Sequence, residues 1–417
     1  MATDEERAVD RLFEQVLAAR EFRTVFQPIV ELPSRDVVGY EALTRGPEGT
    51  PLASAEALGA AANRTGRVVE FDWAARASAC RSALDAQLDP EQLLFLNIEP
   101  FTLDTECPAD LLPDIERAFE RLRVVLEVTE RSRDLDPGSL LDGVERYRPH
   151  VAGIGLDDVG ADPLTLALLP LVAPSVIKLD ESIVHTPPDD TVAKVLNAIE
   201  EEAERAGAVV LAEGIETGED ARRGQAYGAQ LGQGYLYGRP GPVPPATLRA
   251  RHPARLHNVA PLIVPTPFDA LSGESTGTAS SELIYALTQH IESCTASGPA
   301  ITIDLLPEGR HPTEEELQRL TGLSRNGTFT AILGPELPHE PAPGVRGIGR
   351  GRERLPSDQW AAITVGPCAN AALLARRLPD EEDAWMYGLV HDRTRVIAAA
   401  RSAARLLGLP DGQHPSP

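Results

Sequence analysis

The sequence predicts an α/β protein: a (β/α)8 TIM-type barrel followed by a smaller α/β domain. Three observations point there. The chain has 417 residues, too many for one ordinary hydrophobic core. Short β-branched runs alternate with helical stretches through its first half, the pattern of parallel βαβ units. The Pro/Gly-rich stretch GRPGPVPPATL (238–248) then ends that alternation, and the chain changes character beyond it. The expected boundaries are a barrel over 1–245, a linker over 246–262, a second domain over 263–408 and a disordered tail over 409–417.

The elements follow in order. FRTVFQPIVEL and VVGYEALTR read as strands, VEFDWAARASACRSAL as a helix and LLFLNIEP as a strand. VVLEVTE (124–130) is a strand, and SLLDGVERYRP (139–149) is a helix closed by Pro149. Next come strand VAGIGLDD, helix PLTLALLPLV, strand SVIKLD and helix DTVAKVLNAIEEEAERAG, which ends on Gly207 and carries an acidic face that reads as solvated surface. Strand AVVLAEG, helix EDARRGQAYG and strand AQLGQGYLYG complete about eight strands, the number that closes a barrel. Tyr235 and Tyr237 in the last strand read as barrel packing. In the second domain, PTPFDALSGESTGTASSEL reads as loop, ELIYALTQHIESC as helix, AITIDLL as strand and ELQRLTGLS as helix. TFTAILG and QWAAITVG read as strands, CANAALLARRL as a helix, WMYGLVHD as a strand and TRVIAAARSAARLLGL as a helix.

Composition removes several function classes. The net charge of −24 argues against a nucleic-acid-binding surface. No apolar run approaches the length of a membrane span, about 20 residues. The start, MATDEERAVDRLFEQVL, lacks the basic and apolar regions of a secretory leader. Cys80, Cys107, Cys294 and Cys368 are scattered without a CxxC pair, which fits a reducing cytoplasm. Only two residues are lysine, Lys178 and Lys194, in a chain that otherwise uses arginine.

The polar residues at the expected strand ends carry the chemistry. Glu41, Asn97, Glu127, Asp157 with Asp158, Lys178, Glu213 and Gln233 each lie at or near the C-terminal end of a strand, the face where barrel enzymes gather active-site residues. Glu130 and Glu216 follow closely. Carboxylates and an amide oxygen without His or Cys make a hard-oxygen donor set, suited to Mg2+ or Mn2+. Carboxylates brought to one spot repel by roughly 4 kcal/mol per pair at 4 Å and an effective dielectric of 20. Two ions sharing a carboxylate balance that charge better than one, and a metal pair is the usual machinery of phosphodiester hydrolysis. Asp157 is the natural shared ligand, with Asp158 on the second ion, and Lys178 can orient a water or offset charge.

These words together resemble the EAL-domain family of cyclic di-GMP phosphodiesterases: FQPIV (26–30), YEALTR (40–45), LNIEP (96–100), LEVTER (126–131), GLDDVG (155–160), VIKLD (176–180), LAEGIET (211–217) and GQGYLYGRP (232–240). The resemblance implies a modified (β/α)8 barrel that hydrolyses cyclic di-GMP to linear pGpG with two ions. It implies Glu41, Asn97, Glu127 and Asp157 around the first ion, and Asp157, Asp158 and Glu213 around the second. Glu213 is alternatively the general base, and Lys178 positions the nucleophilic water. Gln27, Arg45 and Gln233 would contact the dinucleotide, and Glu130 and Glu216 would brace the site. Two stretches depart from the family: GPEGTPLASAEAL after Arg45 is shorter than usual, and Val159-Gly160-Ala161-Asp162-Pro163 replaces a Phe and a hydroxyl-rich loop. That loop supports metal binding and the barrel homodimer that the family implies, so the alternative is a receptor that binds cyclic di-GMP with little or no turnover. PGVRG (343–347), DQWAAITVGP (358–367), ARRL (375–378) and HDRTRVIAAARSAARLL (391–407) resemble the DICT domain, which implies a sensory module for an unknown signal ligand or protein partner.

Overall fold

The computed structural model describes residues 3–128, 137–243, 254–294, 300–325, 329–347, 355–366, 370–379, 381 and 383–407. Glu130 and the expected tail 409–417 lie outside them.

The first half opens with α1 (Asp4–Ala19), β1 (Arg23–Glu31) and β2 (Val37–Arg45), then α2 (Ala55–Thr65), α3 (Val68–Asp85) and β3 (Leu93–Ile98). It continues with α4 (Leu112–Arg121), β4 (Arg123–Val128), α5 (Pro137–Tyr147), β5 (Gly153–Val159) and α6 (Pro163–Val172). Then come β6 (Val176–Leu179), α7 (Glu181–His185), α8 (Asp190–Ala206), β7 (Val209–Ala212), α9 (Gly218–Ala226) and β8 (Leu231–Gln233). The strands close into a barrel in sequence order, β1 to β8.

Two features depart from the expected parallel pattern. β1 runs antiparallel to both neighbours, β2 and β8. The link to β2 is a tight hairpin, with Arg35 in the left-handed region and its N–H bonded to Glu31 O, too short for the helix a parallel crossover needs. β8 is also shorter than AQLGQGYLYG suggests. At Gly234 the chain passes so close to Ile215 that a Cβ would sit 2.1 Å from its carbonyl oxygen, and Leu236 N–H then bonds that oxygen. Tyr235 therefore leaves the barrel wall and is 48% exposed, against the packing role expected of it.

Ile29, Val38, Leu93, Phe95, Val125, Val176, Leu211 and Leu231 fill the lower interior. Ala254 and Leu256 pack on this layer from below. The described end of the expected linker has no regular secondary structure, yet part of it closes the barrel floor.

The second half contains β9 (Gly277–Ala279), α10 (Ser281–Ser293), β10 (Ile301–Leu305), α11 (Glu314–Ser324) and β11 (Phe329–Leu333). β12 (Val345–Gly347), β13 (Gln359–Val365), β14 (Asn370–Arg377), β15 (Trp385–Val390) and α12 (Arg393–Arg405) follow. The strands form one sheet in the order β12-β11-β10-β13-β14-β15-β9. The expected helix CANAALLARRL is instead β14, a central strand. Its Ala and Leu are good helix formers, but alternate residues face α10 on one side and α12 on the other, so it is apolar on both faces and shows no alternation. α12 also packs against α5 and α6 of the barrel. Among the described residues no helix is long and apolar enough to cross a membrane.

Candidate active site

A strand's side chains alternate between the barrel interior and its outside. One inward step above the apolar layer, Phe95 gives way to Asn97, Val125 to Glu127, Val176 to Lys178, Leu211 to Glu213 and Leu231 to Gln233. The same step on β5 leads from Gly155 to Asp157. Gly155 leaves the space Glu127 uses, since a Cβ there would lie 3.2 Å from Glu127 Cγ.

Asp158 breaks the alternation. It would point outward on a regular strand, but the β5–β6 register shifts between Leu156 and Val159 and Asp158 adopts φ 52°. Asp tolerates this left-handed conformation better than most residues. Its carboxylate thereby joins those of Asp157 and Glu213, with one oxygen of each within 4.8 Å of the others.

Lys178 stands at the centre, 1% exposed in its side chain. Its Nζ lies 3.0 Å from Glu127 Oε1, 2.8 Å from Asp157 Oδ1 and 2.9 Å from Glu213 Oε1. On the other side, Glu41 accepts from Asn97 Nδ2 at 2.9 Å and from Gln233 Nε2 at 2.6 Å. Gln233 Nε2 also lies 3.1 Å from Gln27 Oε1, and Gln27 Nε2 reaches Gly238 O at 3.4 Å.

The electrostatics show a deficit of positive charge. Burial pushes the Glu127 carboxyl well above the usual carboxylate range; the Lys178 ammonium opposes this, while Glu41, Asp157 and Glu213 add to it. Burial likewise raises Glu213, with Lys178 opposing and Asp157 and Glu41 adding to it. Burial alone would lower the Lys178 amine, but Asp157, Glu127 and Glu213 outweigh it and hold the amine well above its ordinary value. Five carboxylates (Glu41, Glu127, Asp157, Asp158 and Glu213) face one ammonium, a surplus of four negative charges when all are ionised.

A cavity of about 750 Å3 opens from this cluster. Gln27, Glu41, Arg45, Asn97, Asp157, Asp158, Lys178 and Glu213 all border it. Arg45 bonds the carbonyl of Thr44 through Nη1 at 2.8 Å. Glu216 is the exception among the described candidates. It is exposed at the approach to α9, where its N–H bonds Asp220 Oδ2, and among the described residues no bond joins its side chain to the cluster.

Sequence reasoning missed the far wall of the cavity. Phe71, Asp72 and Arg76 of α3, Asn63 of α2, and Tyr235 border it. Asp72 and Arg76 form a buried ion pair, and Asp72 also accepts from Glu99 N at 3.2 Å. The available signal was that pair's i, i+4 spacing on an otherwise apolar helix face. Arg239 lies over the Tyr235 ring, 4.0 Å from its centroid.

The EAL domain family matches residues 9–240. The chain is 30% identical over 219 residues to a probable cyclic di-GMP phosphodiesterase of Escherichia coli K12, PdeB, a match covering 51% of this chain and 42% of that protein. It is 29% identical over 231 residues to the cyclic di-GMP phosphodiesterase RocR of Pseudomonas aeruginosa, covering 53% of this chain and 58% of that protein. The chain thus spans about half the length of these curated relatives. Among solved structures it is similar to Klebsiella pneumoniae BlrP1 in a manganese and cyclic di-GMP complex, with a TM-score of 0.46 and 27% identity over 53% of this chain and 56% of that chain.

Proposed function

The chain belongs to the EAL-domain family, and we propose that it hydrolyses one phosphodiester of cyclic di-GMP to linear pGpG. The observation that carries this reading is the cluster of carboxylates gathered around Lys178 at the head of a cavity large enough for a ligand. The two named relatives are cyclic di-GMP phosphodiesterases, one of them only probably so.

The donor set fits a hard divalent ion. All its ligand atoms are oxygens, and Glu127 Oε2 is buried with no hydrogen-bond donor among the described residues. Glu41, Asn97, Glu127 and Asp157 would hold a first ion and Asp157, Asp158 and Glu213 a second, with Mg2+ or Mn2+ suited to both. Bound there, such ions supply neutralisation of phosphate charge and acidify a water. Lys178 fixes the spacing of three carboxylates and orients the attacking water. Glu213, as the alternative to ligating the second ion, takes that water's proton. The water adds to one phosphorus, the bond from that phosphorus to a ribose 3′ oxygen breaks, and that oxygen takes a proton from solvent to leave as the 3′ hydroxyl. Arg45, Gln27 and Gln233 hold the dinucleotide, with Arg45 on a phosphate.

Binding without turnover is the second reading, resting on the altered turn Val159–Pro163. Both readings place the protein in the cytoplasm. They leave the second domain as a sensory module acting on the barrel, with the barrel also able to pair as a homodimer.

The test is to incubate the full chain with cyclic di-GMP and Mn2+ or Mg2+ and follow pGpG. Asp157→Asn should reduce turnover more than about 100-fold, since several kcal/mol of charge stabilisation depend on it. Undetectable pGpG alongside tight cyclic di-GMP binding would favour the receptor.

A further inference from the structure

The second domain reaches the barrel through one fully buried charge. Arg401 on α12 is 0% exposed. Its Nη2 donates to Glu145 Oε1 on α5 at 2.7 Å, and its Nη1 donates to the carbonyl of Leu171 near the end of α6. Arg148, just past α5, donates to the carbonyls of Val172 at 2.7 Å and Ala173 at 3.2 Å. Arg148 Nε also lies 3.3 Å from the same Glu145 Oε1. Three successive carbonyls at the end of α6, which the helix itself leaves unsatisfied, are thus taken by two arginines that share one carboxylate.

Adhesion alone would not need this arrangement. Well-packed apolar side chains hold such an interface as well as a buried ion pair, and removing one partner of the pair is what costs most. α12 already offers apolar contact through Ile397, Ala400 and Ala404. What the arginine adds is direction: it fixes α6 along its axis relative to α5. α6 is about 15 Å long, at 1.5 Å per residue, and holds Pro170 in its last turn, directly before the carbonyls the arginines take. Its first residue, Pro163, follows Asp162, which is bridged to Val159. α6 thus links the end held by the arginines directly to the turn that follows Asp157 and Asp158.

We infer that Arg401 is a positioning residue for the barrel's carboxylate cluster, acting through Glu145 and α6. Its effect on turnover rests on the hydrolysis proposed above, whereas its effect on the turn does not.

Hydrogen exchange on the full chain without added metal tests it. In Arg401→Met the amides of 158–168 should exchange about tenfold faster, or about 1.4 kcal/mol, while those of β2 and β3 keep their rates. Arg401→Lys should recover part of the loss. Unchanged rates at 158–168, or an equal acceleration everywhere, would overturn the inference, the latter marking a plain structural pin. If Arg401→Met does not fold, Glu145→Gln takes its place, with a smaller shift expected in the same amides. Titration with Mn2+ should show severalfold weaker binding in Arg401→Met, and kcat for cyclic di-GMP should fall with KM unchanged. A wild type that binds Mn2+ without hydrolysing the dinucleotide removes the phosphodiesterase reading and leaves the exchange comparison to decide Arg401.

Discussion

Asp304 sits in the middle of β10 with its carboxyl buried between α10 and α11. Burial pushes that carboxyl well above the ordinary aspartate range; Glu292 adds to this by charge and by a hydrogen bond, and Arg319 opposes it. The consequence for stability has a definite sign. Below the pKa of the unfolded chain, about 4, both states carry the proton and Asp304 costs nothing. As pH rises from there toward the higher folded pKa, only the unfolded chain ionises freely, so stability falls. Asp304→Asn cannot ionise and keeps the shape. Its thermal midpoint should match the wild type at the acid end and exceed it near pH 8; a difference between the two that does not change with pH would contradict this. The contrast with Lys178 shows what is legible in a sequence at this scale. Lys178, Glu127 and Glu213 could be read because strand alternation places them, and the structure brings them together. Asp158 could be read as a carboxylate but not as an inward one, because that depends on a bulge and a left-handed φ. Tyr235 was misplaced because the close approach of Gly234 to Ile215 is a long-range contact with no local signature.

The turn between β5 and α6 is one place where this chain departs from the family pattern it resembles, and its local structure shows how the departure is accommodated. Val159 is fully buried, and Pro163 stands at the first position of α6, where a missing N–H costs nothing. Gly160 is the constrained member. It has φ 104°, and a Cβ there would lie 2.8 Å from Ile183 Cγ1 and 3.1 Å from Val195 Cγ1. Gly160→Ala meets both penalties and should cost about 1–3 kcal/mol. Because the strain falls two residues from Asp158, turnover should drop further than the loss of folded protein explains. A urea midpoint equal to that of the wild type would show the turn to be more yielding than its packing implies. Most elements were legible from periodicity and caps, as with α8, which ends at Gly207 with φ 66°. The failures were those where tertiary context overrode propensity. In β14, a run of Ala and Leu was drawn into a sheet covered on both faces. In α8, the face read as solvated includes buried Glu202, and Glu201 bonds Arg393 of α12 at 2.6 Å.

At the scale of the whole molecule, the two halves share an interior. One hydrophobic cluster joins Leu140, Leu141 and Val144 of α5 and Leu166 to Val172 of α6 with Val396, Ala399 and Ala403 of α12, and continues to Ile363 and Leu374 of the second sheet. Buried or partly buried ion pairs, Arg401 with Glu145 and Arg393 with Glu201, cross the same boundary. None of this could be read from the sequence, where RTRVIAAARSAARLL looks like an ordinary helix with arginines for solvent. Separating the halves would expose apolar surface on α5, α6 and α12 and strand the charge of Arg401 and Glu145, each a large cost beside the small net stability of a domain. Neither half should therefore outlast the other on heating. Calorimetry of the full chain should show one transition, with the van't Hoff enthalpy close to the calorimetric one. Mn2+ bound at the barrel site should move that whole transition upward by mass action. Two resolved transitions, with Mn2+ shifting only one, would mean that the shared cluster does not couple the halves. Arg401→Met should lower the single transition without splitting it, because the shared cluster and the Arg393–Glu201 pair still cross the boundary.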